Sequence, residues 1–96
     1  MEAVSLTSRV SVHPDAVFRE LDGEGVLLNL TSGLYFGLNE VGTRIWRLIE
    51  EDGEIQRIVT ALAEEYDAPT DRLREDLISL ILQLRDKGLV HVEPAG

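Results

Sequence analysis

The residues of this 96-residue chain able to bind a metal or move a proton are two histidines and 18 acidic side chains. His13 and His91 stand near opposite ends, with no third ligand or nucleophile at a meaningful spacing. Pairs such as Glu50 and Glu51, or Glu64 and Glu65, fall at the ends of helical patterns where water solvates them, and nothing places two carboxylates in a cleft. Cysteine is absent, which removes disulfides, thiolate metal sites and a cysteine nucleophile. The chain therefore reads as a non-enzyme without metal or cofactor. What remains is the chemistry of binding: backbone donors and acceptors, apolar surface and a few cations.

Composition narrows the partner. The net charge is −9 and the one lysine is Lys87, whereas a nucleic-acid binder needs a positive footprint. An acidic surface keeps the chain soluble and suits a partner with basic residues. No apolar run approaches the roughly 18–20 residues of a membrane span, and the N-terminus lacks a signal-peptide pattern. A cytoplasmic location is expected. The length suits one small domain, whose core must be built from Leu, Ile and Val because aromatics are few. The triplet Asn29-Leu30-Thr31 matches a glycosylation acceptor and is read as coincidence.

The elements that position the binding chemistry centre on residues 34–46. Leu34, Phe36 and Leu38 alternate as one face of a strand, and Val41, Ile45, Leu48 and Ile49 then recur at helical spacing. Asn39 stands at the joint as a helix N-cap, and Trp46 caps the core. Upstream, residues 1–14 read as a flexible arm, with Val10 and Val12 the only signs of an edge strand, and the domain spans 15–96. Strands over 17–21, 25–30 and 34–38 are joined by Asp22-Gly23 and Thr31-Ser32-Gly33, giving an antiparallel meander. Val26, Leu28 and Leu30 are expected to share its apolar face. Helices follow over about 40–51, 54–66 and 71–87, the last closed by Gly88. A short extended tail, 89–92, can return to the sheet. The fold class is α+β: a three-stranded antiparallel sheet packed on three helices, in a winged helix-turn-helix arrangement.

The third helix carries two apolar stripes. At about 100° per residue, Leu73, Leu77, Leu80 and Leu84 form a core stripe. Ile78 and Leu82 lie opposite, Ile81 is on the shoulder, and Asp71, Arg74 and Arg85 share the second face. The third strand ends the meander, so one of its edges offers unpaired backbone groups for strand addition. An extended peptide fits between that edge and the second stripe. Gly37 would permit close approach of its backbone.

The run Leu34-Tyr35-Phe36-Gly37-Leu38-Asn39-Glu40-Val41-Gly42-Thr43-Arg44-Ile45-Trp46, with Leu84-Arg85-Asp86-Lys87-Gly88-Leu89-Val90, strongly resembles the signature of the PqqD-like family over about residues 17–92. The resemblance implies a recognition element for ribosomally synthesised, post-translationally modified peptides (RiPPs). Such a non-catalytic module binds the leader segment of a precursor peptide and delivers it to a separate processing enzyme. By position it puts Leu34, Tyr35, Phe36 and Gly37 on the strand side of the site. Asp71, Arg74, Ile78, Ile81, Leu82 and Arg85 fall on the helix side. The approach Ser32-Gly33-Leu34-Tyr35-Phe36-Gly37-Leu38-Asn39 looks most like the standalone proteins of lasso-peptide pathways, where the partner enzyme is a cysteine leader peptidase. The alternatives are a peptide chaperone for a radical-SAM enzyme in quinone-cofactor biosynthesis and a winged-helix DNA-binding protein. Against the last, the third helix sets Asp71, Glu75, Asp76 and Asp86 against its four cations.

Overall fold

A computed structural model describes residues 8–93. In chain order the elements are β1 (Arg9–Val12), β2 (Ala16–Leu21), β3 (Glu24–Asn29), β4 (Tyr35–Leu38), α1 (Glu40–Glu51), α2 (Ile55–Glu65), α3 (Thr70–Asp86) and β5 (Val90–Glu93). Strands β2, β3 and β4 form the expected antiparallel meander, with β4 at its edge. The β2–β3 turn is tight because Asp22 and Gly23 both take positive φ, 54° and 83°. That is the backbone whose twist matches a two-residue hairpin.

The turn register decides which face is buried, and it reverses one expectation. Pairing Leu21 with Glu24 puts Gly25, Leu27 and Asn29 of β3 inward, so Val26, Leu28 and Leu30 face away from the helices. Because 26, 27 and 28 are all apolar, alternation alone cannot choose the parity. The inner side of Gly25 is taken by the Phe18 ring, which a Cβ there would strike. Phe18 stacks on the buried Trp46 with ring centroids 6.0 Å apart, joining the meander to α1.

Capping chemistry fixes both helices that flank β4. Asn39 Oδ1 accepts a 2.8 Å hydrogen bond from Gly42 N at the start of α1, satisfying a donor that the helix itself cannot. At the end of α3, Gly88 takes φ +69°, Leu89 N donates to Leu84 O and Gly88 N to Arg85 O. These are the two bonds of a Schellman cap. Asn29 then ties this cap to the meander. Its Nδ2 donates to the carbonyls of Lys87 and Gly88, and its Oδ1 accepts from Thr31 N and Ser32 N. Buried and fully bonded, Asn29 has no room for a sugar.

The arm expectation gives way over Arg9–Val12; residues 1–7 lie outside the described residues. Val10 is 1% exposed, its N–H donates to Gly53 O at 2.7 Å, and β1 pairs with β5. The C-terminal tail thus builds a second, two-stranded sheet rather than joining the meander. Gly53, at φ +83°, makes the docking possible, since a Cβ there would collide with the Val10 carbonyl. Gly53→Ala is expected to cost about 2 kcal/mol in chemical denaturation, from the positive φ and the collision together. A loss below about 0.5 kcal/mol would mean that β1 does not dock here.

The core gathers Leu27, Leu38, Ile45, Trp46, Ile58 and Leu77 among others. On its surface Arg44 grips Glu65 through two 2.8 Å hydrogen bonds, clamping α1 to α2. That bond holds the Glu65 carboxyl below its ordinary pKa. The clamp is therefore present at neutral pH and is lost as pH falls through the lowered value. Both side chains are over a third exposed, so its contribution is at most about 0.5 kcal/mol.

Candidate peptide-binding groove

The open edge of β4 has a defined chemistry. Asn29 N donates to Leu34 O at 2.8 Å, which makes Asn29 and Leu34 a hydrogen-bonded pair of the β3–β4 ladder. Bonded and non-bonded pairs alternate along antiparallel strands, and Leu27 with Phe36 and Gly25 with Leu38 follow in that register. The N–H and C=O groups of Tyr35 and Gly37 consequently point away from β3, to the open edge. Four backbone groups await a partner. Gly37 needs neither its conformation nor its lack of side chain for the protein's own packing: a Cβ there meets nothing within 4 Å.

Beside this edge lies an open hollow of about 420 Å³, lined by Phe36, Gly37, Val41, Ile45, Asp76 and Leu80, with Asn39 and Gly42 at its end. The first turn of α1 supplies the floor and α3 the far wall. Phe36 sits inward and half-buried, and Tyr35 and Leu34 are 73% and 50% exposed. Of the predicted strand residues, Tyr35, Phe36 and Gly37 lie on β4 and Leu34 just precedes it, with Phe36 and Gly37 reaching the hollow itself.

The helix side differs from expectation. Ile81 is fully buried, and the core face of α3 is Leu73, Leu77, Ile81 and Leu84. Moving the core face toward Ile81 turns Leu80 out on the other side, into the hollow. Leu82 and Ile78 then lie about 160° around the helix from Leu80, and Asp71, Arg74 and Arg85 share that far flank. Arg74 is bonded to Asp71 at 3.1 Å, Ile78 and Arg85 are half-buried, and Leu82 is 38% exposed. None of these residues lines the hollow beside β4. The wall residues that sequence reasoning missed are Asp76 and Leu80; further along the same stripe, Lys87 places its Nζ 6.0 Å from the Phe36 ring centroid. Their signal was the spacing of Asp76, Leu80, Gln83 and Lys87 at four, three and four residues, a stripe the leucine pattern masked.

Other candidate residues find structural partners. His13 and His91 are not isolated: their rings face each other at 4.7 Å across the β1–β5 sheet, and His13 Nδ1 accepts from Asp15 N. No group of three potential ligands occurs among the described residues. Arg47 is held by Glu20 and Glu50, and its guanidinium lies 4.6 Å from the Phe18 ring centroid. Among the described residues no helix is long and apolar enough to cross a membrane.

Comparison with known proteins identifies relatives of the whole fold. The family model described as Coenzyme PQQ synthesis protein D (PqqD) matches residues 24–90. The structure of TbiB1 in complex with the TbiA(beta) leader peptide matches at 37% identity and a TM-score of 0.80, covering 84% of this chain and 94% of that one. Lasso peptide synthetase B1 complexed with the leader peptide matches at 22% identity and a TM-score of 0.78, covering 86% and 98%, a likeness of fold. No curated protein matches the sequence.

Proposed function

The chain belongs to the PqqD family, and from that premise we propose that it is a non-catalytic recognition element for the leader of a ribosomally made precursor peptide. The leader adds as a strand to β4, using the outward groups of Tyr35 and Gly37, and sends alternate side chains into the hollow walled by α3. The observation that carries this reading is the open β4 edge beside a hollow lined by Phe36, Val41, Ile45 and Leu80 together with Asp76, in a chain 37% identical to TbiB1, itself solved with a leader peptide. Bound this way, the leader holds its attached core peptide near a processing enzyme, raising effective concentration and fixing register. The enzyme is a separate cysteine leader peptidase of a lasso-type pathway acting in the cytoplasm, in keeping with the TbiB1 likeness. The family description favours one second reading, a chaperone for a radical-SAM enzyme of quinone-cofactor synthesis. Three helices followed by β5 fit a winged helix-turn-helix used for peptide rather than DNA.

The test is fluorescence anisotropy with labelled peptides tiling the precursor encoded beside this chain's gene. A leader peptide is expected to bind with a dissociation constant of about 10 µM or tighter, roughly −7 kcal/mol. Failure of every tile to bind a folded chain, or a low-salt mobility shift with duplex DNA in its place, would overturn the reading.

A further inference from the structure

The groove wall of α3 is polar at both ends and apolar in the middle. Asp76 and Leu80 line the hollow, and beyond its lining Lys87 holds its Nζ 6.0 Å from the ring centroid of Phe36, which does line it. Lys87 is the one lysine of a chain with 18 acidic residues, yet it enters no ion pair among the described residues. Asp76 is also available: its nearest cation, Arg72, is 4.0 Å away, and the two side chains are 71% and 75% exposed. Lys87 itself is half-buried, and a lone surface charge is ordinary. Two of opposite sign at the two ends of one groove impose a direction on whatever lies in it.

The spacing sets the ligand. Asp76 and the C-cap Lys87 are eleven residue steps apart along α3, about 16 Å at 1.5 Å each, which an extended peptide covers in about five residues. Side chains on one side of a strand are an even number apart, so the matching charges stand about four or six residues apart. Helix α3 runs antiparallel to β4. Its Lys87 end is fixed near Leu34 through Asn29, and its Asp76 end shares the hollow with Asn39 and Val41.

Resting on the leader-binding reading, we propose that Asp76 and Lys87 are specificity-determining residues. They select a leader strand with a basic side chain beside Asp76, an apolar one against Leu80 and Phe36, and an acidic one beside Lys87. A leader antiparallel to β4 must then carry its basic residue on the N-terminal side of its acidic one; a parallel leader carries the reverse. Exposed pairs add little affinity but penalise the wrong order and the wrong register.

The experiment uses the precursor leader in three synthetic forms: native, with the two charged residues of the bound segment exchanged, and with both replaced by Gln. Each is titrated against the parent chain and the Asp76→Lys, Lys87→Glu double variant. At 25 mM salt the exchange is expected to weaken binding to the parent about tenfold. At 500 mM salt the difference should fall to about twofold or less. The double variant should prefer the exchanged peptide. Because Lys87 is the sole side-chain amine, carbodiimide coupling should join it to the leader's acidic residue through an amide bond, mapped by mass spectrometry. Equal affinity for native and exchanged leaders, or a native leader without such a charge pair, would overturn the selection rule while leaving leader binding intact. Loss of binding by all three forms would overturn leader binding itself.

Discussion

Gly37→Pro is expected to weaken leader binding by about a hundredfold or more, about 2.7 kcal/mol, while the chain stays folded. The ladder register points the Gly37 N–H away from β3, so proline removes no bond of the protein's own sheet. Edge strands accept proline where that N–H faces outward. A Cβ here meets nothing within 4 Å, and restricting the unfolded chain offsets part of any strain. For the added strand the consequences are severe. One donor is gone, worth about 1 kcal/mol, and the ring carbon that replaces its hydrogen stands where the leader's carbonyl must come. That clash also holds the leader off the neighbouring groups of Tyr35. Anisotropy titration, with circular dichroism to verify folding, reads the result. Gly37→Ala keeps the donor and should lose no more than about threefold. A proline variant that is folded and binds within threefold of the parent would show that the peptide does not use this edge.

Features read correctly from the sequence are those whose cause is local. The change of period at Asn39, the Asp22-Gly23 turn and the Gly88 cap each rest on one or two residues with strong backbone preferences, and each stands in the structure. Features misread depend on partners far along the chain. Val10 is buried because β5 pairs with it and the turn at Gly53, more than forty residues away, receives it; within residues 1–14 only Val10 and Val12 hinted at a strand. His13 and His91 meet for the same reason, carried together by β1 and β5. Where apolar residues run together, periodicity loses its phase. The stretch 26–28 permits either face of β3, and 77–82 permits several rotations of α3. In α3 the shift of the core face is small in angle, yet it decides that Leu80 rather than Leu82 lines the hollow beside β4. The open edge of β4 was legible in the sequence because an edge strand followed by a capped helix is a local arrangement. The helix side required knowing which leucine the core takes.

That rotation leads to a direct comparison between Leu80 and Leu82. Leu80 lines the hollow and packs partly against the core, so a leader side chain entering there covers it. Losing most of a buried leucine's apolar surface costs about 1.5–3 kcal/mol, and Leu80→Ala should therefore weaken leader binding roughly ten- to a hundredfold. Its own stability should fall by about 1 kcal/mol, since only part of the side chain is buried without the peptide. Leu82 is 38% exposed on the far flank, where a strand added to β4 does not reach. Leu82→Ala and even Leu82→Glu should leave the dissociation constant within about twofold of the parent. The pair separates two geometries that share one fold and one strand edge. If Leu82→Glu abolishes binding and Leu80→Ala does not, the leader runs along the flank of Arg74, Ile78 and Arg85, and the hollow beside β4 is not its site. If Leu80 alone matters, the stripe of Asp76, Leu80 and Lys87 is the wall that reads the peptide.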